Sequence, residues 1–195
     1  MIAGHFGLAA AVKARRPAVP LYALMLATAW LDIVFVPLLL AGVEGLSKAP
    51  DAADAGYGAA FIHAWYTHSL LGALALSALF GAFFAPRYGR PVAVVVGAVA
   101  FSHWLLDLVV HRPDLPLLPA NALDLPLLGF GLWRYPVASA GLELLIVIAG
   151  FALYWQGAVA ANRRAAKSVG LAHAIGGAAF AAGLVVLAVD FFSAG

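Results

Sequence analysis

His103 and Asp107 stand four residues apart inside an apolar run, PVAVVVGAVAFSHWLLDLVVHRPDLPLLP, with His111 a further four residues on. Spacings of four and eight place all three side chains on one face of a helix. An ionisable group in hydrocarbon costs at least ~2.5 kcal/mol at mid-helix. Such groups persist when they pair, bind an ion or line a wet cavity. Imidazole nitrogens and carboxylate oxygens are ligands for Zn, Mn, Fe or Ni, and an all-N/O set is common for catalytic zinc. A metal with an open position lowers the pKa of its bound water to around 7. The chemistry this face points to is metal-assisted hydrolysis.

The elements that would position such a face are membrane helices. The chain has 195 residues, of which 65% are hydrophobic and 10% charged, whereas a soluble domain carries roughly 25% charged residues. Five apolar stretches, at about 18–42, 58–85, 91–110, 135–157 and 168–192, each meet the roughly 20-residue requirement for a span. Residues 2–12 form a sixth apolar piece, too short to span. Its charges, Lys13, Arg15 and Arg16, follow the apolar core instead of preceding it, the reverse of a cleavable signal peptide, so it is read as retained. The expected fold is an all-α membrane bundle of five transmembrane helices plus a short N-terminal half-helix, forming one integral membrane domain over 1–195. Without cysteine, disulfides and thiolate metal sites are excluded.

The net charge of +2 does not indicate nucleic-acid binding, because the Lys and Arg residues lie in short loops and report topology. Lys13, Arg15, Arg16, Arg87, Arg90, Arg163, Arg164 and Lys167 fall on one side of a five-span model, against Lys48, Arg112 and Arg134 on the other. Eight against three puts the first group, and the N-terminus, in the cytoplasm of a bacterial inner membrane. The loop at 43–57, the Pro- and Leu-rich loop at 111–134 and the C-terminus then lie outside. The 111–134 loop is expected to lie in the interface or over the bundle mouth, with Trp133 as an interfacial anchor.

Depth along each span gathers a layer. Asp32 lies ten residues before the outer end of the first span and His68 ten residues after the outer start of the second. His103 and Asp107 lie seven and three residues below the outer end of the third, and Glu143 eight residues into the fourth. His5, ten residues from Arg15, would sit roughly 15 Å into the membrane and could form the floor of the same site. Glu143, or whichever carboxylate is left over, is a candidate general base. Other residues read more plainly. His173 is expected to hydrogen-bond between helices, Asp190 to be solvated near a helix end, and His63 to be interfacial or to support the site indirectly.

The segments GHFGLAAAVK, AWLDIVF, FIHAWYTHSLLGA and SHWLLDLVVHRPDLPL resemble the bacterial predicted membrane-bound metal-dependent hydrolases, over most of the chain from His5 to about Trp133. The resemblance implies His5, Asp32, His68, His103 and Asp107 as metal residues. A more distant likeness is to the zinc-dependent phospholipase C and single-strand-specific nuclease group, whose ligand order His5, Asp32, His68, His103-x-x-x-Asp107, His111 follows until its last element. There Ser139 stands where that group has histidine, giving Ser139-x-x-x-Glu143 and implying one or two ions, most readily zinc, instead of three. The resulting expectation is a membrane-embedded hydrolase. A metal-activated water would attack a lipid or phosphoester-type substrate on the extracytoplasmic side, with Glu143 and His111 as catalytic or peripheral groups and the bilayer as the surrounding partner. Two alternatives use the same residues: a proton or metal-ion transporter, and a structural protein with a metal-stabilised bundle.

Overall fold

The computed structural model describes residues 1–52 and 57–193, so part of the loop expected at 43–57 lies outside the described residues. The chain is mostly helical. In order it forms α1 (Ile2–Arg15), α2 (Leu21–Thr28), α3 (Trp30–Leu40), β1 (Gly45–Lys48), β2 (Ala60–His63), α4 (Leu70–Tyr88), α5 (Arg90–Val110), α6 (Pro136–Arg164) and α7 (Gly170–Ser193). Helices α4 to α7 are long and apolar enough to cross a membrane, and α2 with α3 makes a fifth candidate if the pair, bent by 46°, is one span. Their outward faces are apolar, with Leu79, Phe83 and Leu145 among the exposed side chains. Such a belt is what lipid covers.

Two expected spans differ from the observed elements. The stretch at 18–42 is broken at Ala29 into α2 and α3. No Gly or Pro marks the break. It is held by Thr28, whose hydroxyl donates to the His5 carbonyl at 2.8 Å and whose own carbonyl accepts from His103 at 2.7 Å. The stretch at 58–85 is helical only from Leu70. Ala60–His63 instead pairs antiparallel with Gly45–Lys48, Gly45 opposite His63, because a short apolar run serves a strand as well as a helix. Ser69 starts α4 by accepting the Gly72 N–H at 3.1 Å, an N-cap.

Helix α1 is 14 residues long, about 21 Å against a hydrocarbon core of about 30 Å, and packs chiefly along α6. A Cβ on Gly150 would lie 1.9 Å from the Gly7 carbonyl oxygen, and one on Gly7 would lie 2.8 Å from that of Ile146. Small residues let two membrane helices approach this closely, which carries His5 into the bundle. Below it, Leu24, Ala27, Val96, Val99 and Ala100 form a closed apolar core. The 111–134 segment folds over the bundle mouth, with the Leu70 and Leu71 amides donating to the Pro116 and Leu117 carbonyls at 2.9 and 3.1 Å. Trp133 is buried beneath this segment instead of anchoring at the interface, because its ring packs on His111 with centroids 4.3 Å apart.

Asp51 ties the outer loops together, accepting from Arg112 and Arg134. The Arg112 guanidinium holds the Asp51 carboxyl below its ordinary value, so its stabilising contribution is present above the unfolded value near 3.8 and lost as pH falls below it. The thermal stability gap between wild type and Asp51→Asn should therefore close as pH is lowered from 6 to 3; a constant gap would contradict the ion pair. Gly150→Ala should overpack the α1–α6 contact at a cost of roughly 1–3 kcal/mol. The apparent Tm in detergent should fall by about 2–4 °C for each kcal/mol, and an unchanged Tm would contradict the close approach.

Candidate metal centre

The site is assembled from three helices and the turn before α4. His103 and Asp107 lie one turn apart on α5, Asp32 in the first turn of α3, His5 on α1, and His68 beside the Ser69 cap. The α2–α3 break gives Asp32 a helix N-terminus, where a carboxylate is stabilised by the exposed amides. All five residues expected from the sequence converge. His68 Nε2 lies 3.3 Å from His103 Nε2, 3.6 Å from Asp32 Oδ1 and 3.7 Å from Asp107 Oδ2. His103 Nε2 lies 3.5 Å from Asp32 Oδ1 and 3.0 Å from Asp107 Oδ2. Donors each 2.0–2.2 Å from one ion and tetrahedrally disposed stand roughly 3.3–3.6 Å apart, so these spacings suit a shared ion. Two triads satisfy the geometry of a metal site, His5–His103–Asp107 and Asp32–His68–His103.

The partners behind the rings decide what the rings present. His103 Nδ1–H donates to the Thr28 carbonyl at 2.7 Å, and His68 Nδ1–H donates to Thr67 Oγ1 at 2.9 Å. The Thr67 hydroxyl gives its proton to Glu44, which also accepts the Tyr66 and Thr67 amides at 2.8 Å. His111 Nδ1–H donates to Asp114 Oδ1 at 2.9 Å, while Asp114 Oδ2 accepts the Ile62 amide at 3.0 Å. Each hydrogen bond assigns the tautomer with an Nε2 lone pair, the way metal-binding histidines are oriented. His103 offers only Nε2, so the two triads meet at one atom and share one ion at most through it. His111 Nε2, 3.8 Å from Asp107 Oδ2, stands at the margin.

His5 differs. Its Nε2 is 3.1 Å from Asp107 Oδ1, its ring stacks on His103 with centroids 3.9 Å apart, and its buried Nδ1 has no partner. A proton on Nε2 leaves only an unmatched acceptor at Nδ1, which costs less than an unmatched donor beside a lone-pair clash at Asp107. That tautomer makes His5 the group that orients Asp107.

Glu143 departs from its expected role. It is fully buried, and its two oxygens accept the Gly4 amide at 2.9 Å and the Tyr57 hydroxyl at 2.7 Å. Burial pushes the Tyr57 phenol above its ordinary value, keeping it a donor. Ser139 meets the same hydroxyl at 3.3 Å. Glu143 and Ser139 thus pin α1 and the outer loop to α6. Asp190, expected to be solvated, lines the cavity that opens onto the cluster. His63 lies on the hairpin surface, bonded to Ser47, and His173 accepts from Trp155 across α6 and α7 at 3.0 Å, the helix-to-helix role expected for it.

Glu44, Thr67, Asp114 and Thr28 were not anticipated. Asp114 follows His111 within HRPD, a spacing that could have flagged it. Glu44 lies 24 positions before His68 and carries no such signal. The cavity holds about 570 Å³ and is bordered by His5, Asp32, His68, His103, Asp107 and His111, with Asp32 half exposed at its mouth. Comparison of the chain with family models, curated proteins and solved structures gives no match, so the functional reading rests on this geometry.

Removing an outer partner of a metal-binding histidine typically lowers affinity 10–100-fold. Thr67→Val, which removes the acceptor for His68, should weaken zinc binding in competition with a chromophoric chelator by that factor. Wild-type affinity in that variant would contradict the assigned orientation of His68.

Proposed function

We propose that the protein is a membrane-embedded metal-dependent hydrolase. One divalent ion, most readily zinc, is held by His68 Nε2, His103 Nε2, Asp32 Oδ1 and Asp107 Oδ2. The observation that carries this reading is that two imidazole Nε2 atoms lie 3.3 Å apart and each within 3.0–3.7 Å of Asp32 and Asp107, with both imidazole protons committed to acceptors behind the rings. Imidazole lone pairs and carboxylates this close repel unless a positive charge lies between them, and an N/O set of this kind suits zinc. When bound, such an ion supplies water with a pKa near 7.

The chain's own residues do the rest. His5 holds Asp107 in register through Oδ1. His111, backed by Asp114 and bordering the cavity, is placed to accept a proton from attacking water and to pass it to the leaving group. Glu143 has no part in the reaction, since both its oxygens are engaged elsewhere. The bundle sits in a bacterial inner membrane with five spans, α2 and α3 together making the first. The N-terminus faces the cytoplasm, as the loop charges favour, and the cavity opens to the outer side.

A second reading, an ion or proton transporter, gains from the α2–α3 break, because broken helices at ion sites are a transporter device. It loses at the cytoplasmic side, where the apolar core around Leu24, Val96 and Ala100 leaves no polar route below the site.

Protein purified in mild detergent without chelators should contain about one equivalent of metal, and the His103→Ala, Asp107→Ala double variant none. Hydrolysis of amphiphilic esters or phosphoesters should vanish with chelator and return with zinc. His111→Ala should keep the metal and lose roughly 10²–10⁴-fold in kcat. Metal-free wild type overturns the reading. Metal-dependent ion uptake into proteoliposomes without any hydrolysis favours the transporter.

A further inference from the structure

The cavity has two unlike ends, and together they define a substrate. At one end are the ion ligands and His111. Away from them α3 supplies Val36 and Leu39 and the β1–β2 hairpin supplies Leu46, while Phe35 packs edge-on to His68 and the Ile62 amide bonds Asp114 behind His111. From Asp32 to Leu39 the helix rises about 10 Å, so this apolar arm has the length for an extended acyl chain. Val36 and Leu46 are 49% and 52% exposed, which opens the arm outward, where a chain can enter from the bilayer.

The polar end carries no surplus of cations: the α-ammonium of Met1, which also lines the cavity, lies near Asp190. Asp32, Asp107 and Asp190 border the cavity, and among the described lining residues there is no lysine or arginine. The nearest arginines point elsewhere: Arg112 to Asp51 and the Gly58 carbonyl, and Arg134 to Asp51. A single divalent ion would compensate Asp32 and Asp107, and the Met1 α-ammonium compensates Asp190, so no positive surplus remains. Sites that turn over phosphoryl groups place Arg, Lys or metal clamps on the anionic oxygens. A phosphoester here would meet charges that are already compensated, with no Arg or Lys clamp for its anionic oxygens, and an anion left without a partner is selected against.

We propose that the substrate is an electrically neutral single-chain acyl amphiphile, cleaved at a carboxylic ester or amide bond, with its chain along α3 and the hairpin. This rests on the hydrolytic reading of the site. Water adds across the acyl C–O or C–N bond: its oxygen joins the acyl carbon, and its proton passes through His111 Nε2 to the departing alcohol or amine. The fatty acid product loses its proton to solvent and becomes an anion, for which the cavity lining offers no Arg or Lys partner.

Binding and turnover test the proposal separately. Native mass spectrometry of zinc-loaded protein should show 1-decyl glyceryl ether, a non-hydrolysable neutral probe, bound at least tenfold tighter than decyl phosphate. Leu39→Trp and Val36→Trp, which fill the arm from partly exposed positions, should each weaken that binding about tenfold, and Asp190→Lys should narrow the preference for the neutral probe. Zinc-loaded protein should hydrolyse 1-decanoylglycerol or N-decanoylethanolamine at least tenfold faster than the acetyl analogues. Equal or tighter binding of decyl phosphate, or preferential cleavage of bis(4-nitrophenyl) phosphate, would overturn the neutral-substrate assignment and leave the hydrolase intact. Hydrolysis of neither class by zinc-loaded protein would overturn both.

Discussion

Two imidazole nitrogens lie 3.3 Å apart and each within 3.0–3.7 Å of two carboxylates inside an apolar bundle, and the rest of the structure answers to that constraint. In water such groups would turn apart and hydrate. In a low-dielectric interior each unpaired acceptor is costly, so positive charge at the centre would stabilise the arrangement, and firm control comes from behind. The Thr28 carbonyl, the Thr67 hydroxyl backed by Glu44, and Asp114 supply that control. Each takes the Nδ1 proton of one histidine and turns the opposite nitrogen inward.

Several features of the fold follow. The break at Ala29 releases the Thr28 carbonyl to His103 and turns the new helix N-terminus of α3 toward the site, so one irregularity sets both a ligand and the support of another. The Gly7–Gly150 approach lets α1 pack deep enough for His5 to reach Asp107. Glu143 and Tyr57 fasten the start of α1. The hairpin and the 111–134 segment close the outer end and bring Asp114 and Trp133 against His111. A short buried helix, a broken helix and a strand pair are poor devices for spanning a bilayer and good ones for placing side chains.

Much of this was legible in the sequence, and the reasons divide cleanly. His103 and Asp107 are one helical turn apart, so periodicity alone placed them together. Asp32, His68 and His5 were gathered by depth and resemblance, and they do converge. The depth argument for His68 nevertheless rested on a helix beginning near residue 58, whereas α4 begins at Leu70 and His68 sits in the turn before it. Apolar composition reports burial or lipid contact without distinguishing a strand from a span. The break at Ala29 has no Gly or Pro to announce it, because its cause is a tertiary contact at Thr28. Glu143 stood out in the sequence as a buried carboxylate at the right depth, but its partners, a backbone amide and a phenol, are set by the fold and left no signal there. Glu44, which supports the site through Thr67, is remote in sequence and joins it only through the folded loop.

X-ray absorption at the zinc K-edge of protein purified in detergent measures the centre itself. The account predicts a first shell of nitrogen and oxygen only, at about 2.0–2.2 Å, with outer-shell scattering from two imidazole rings that falls to one in His68→Ala. A six-oxygen shell without imidazole scattering, or a shell unchanged in His68→Ala, would contradict it.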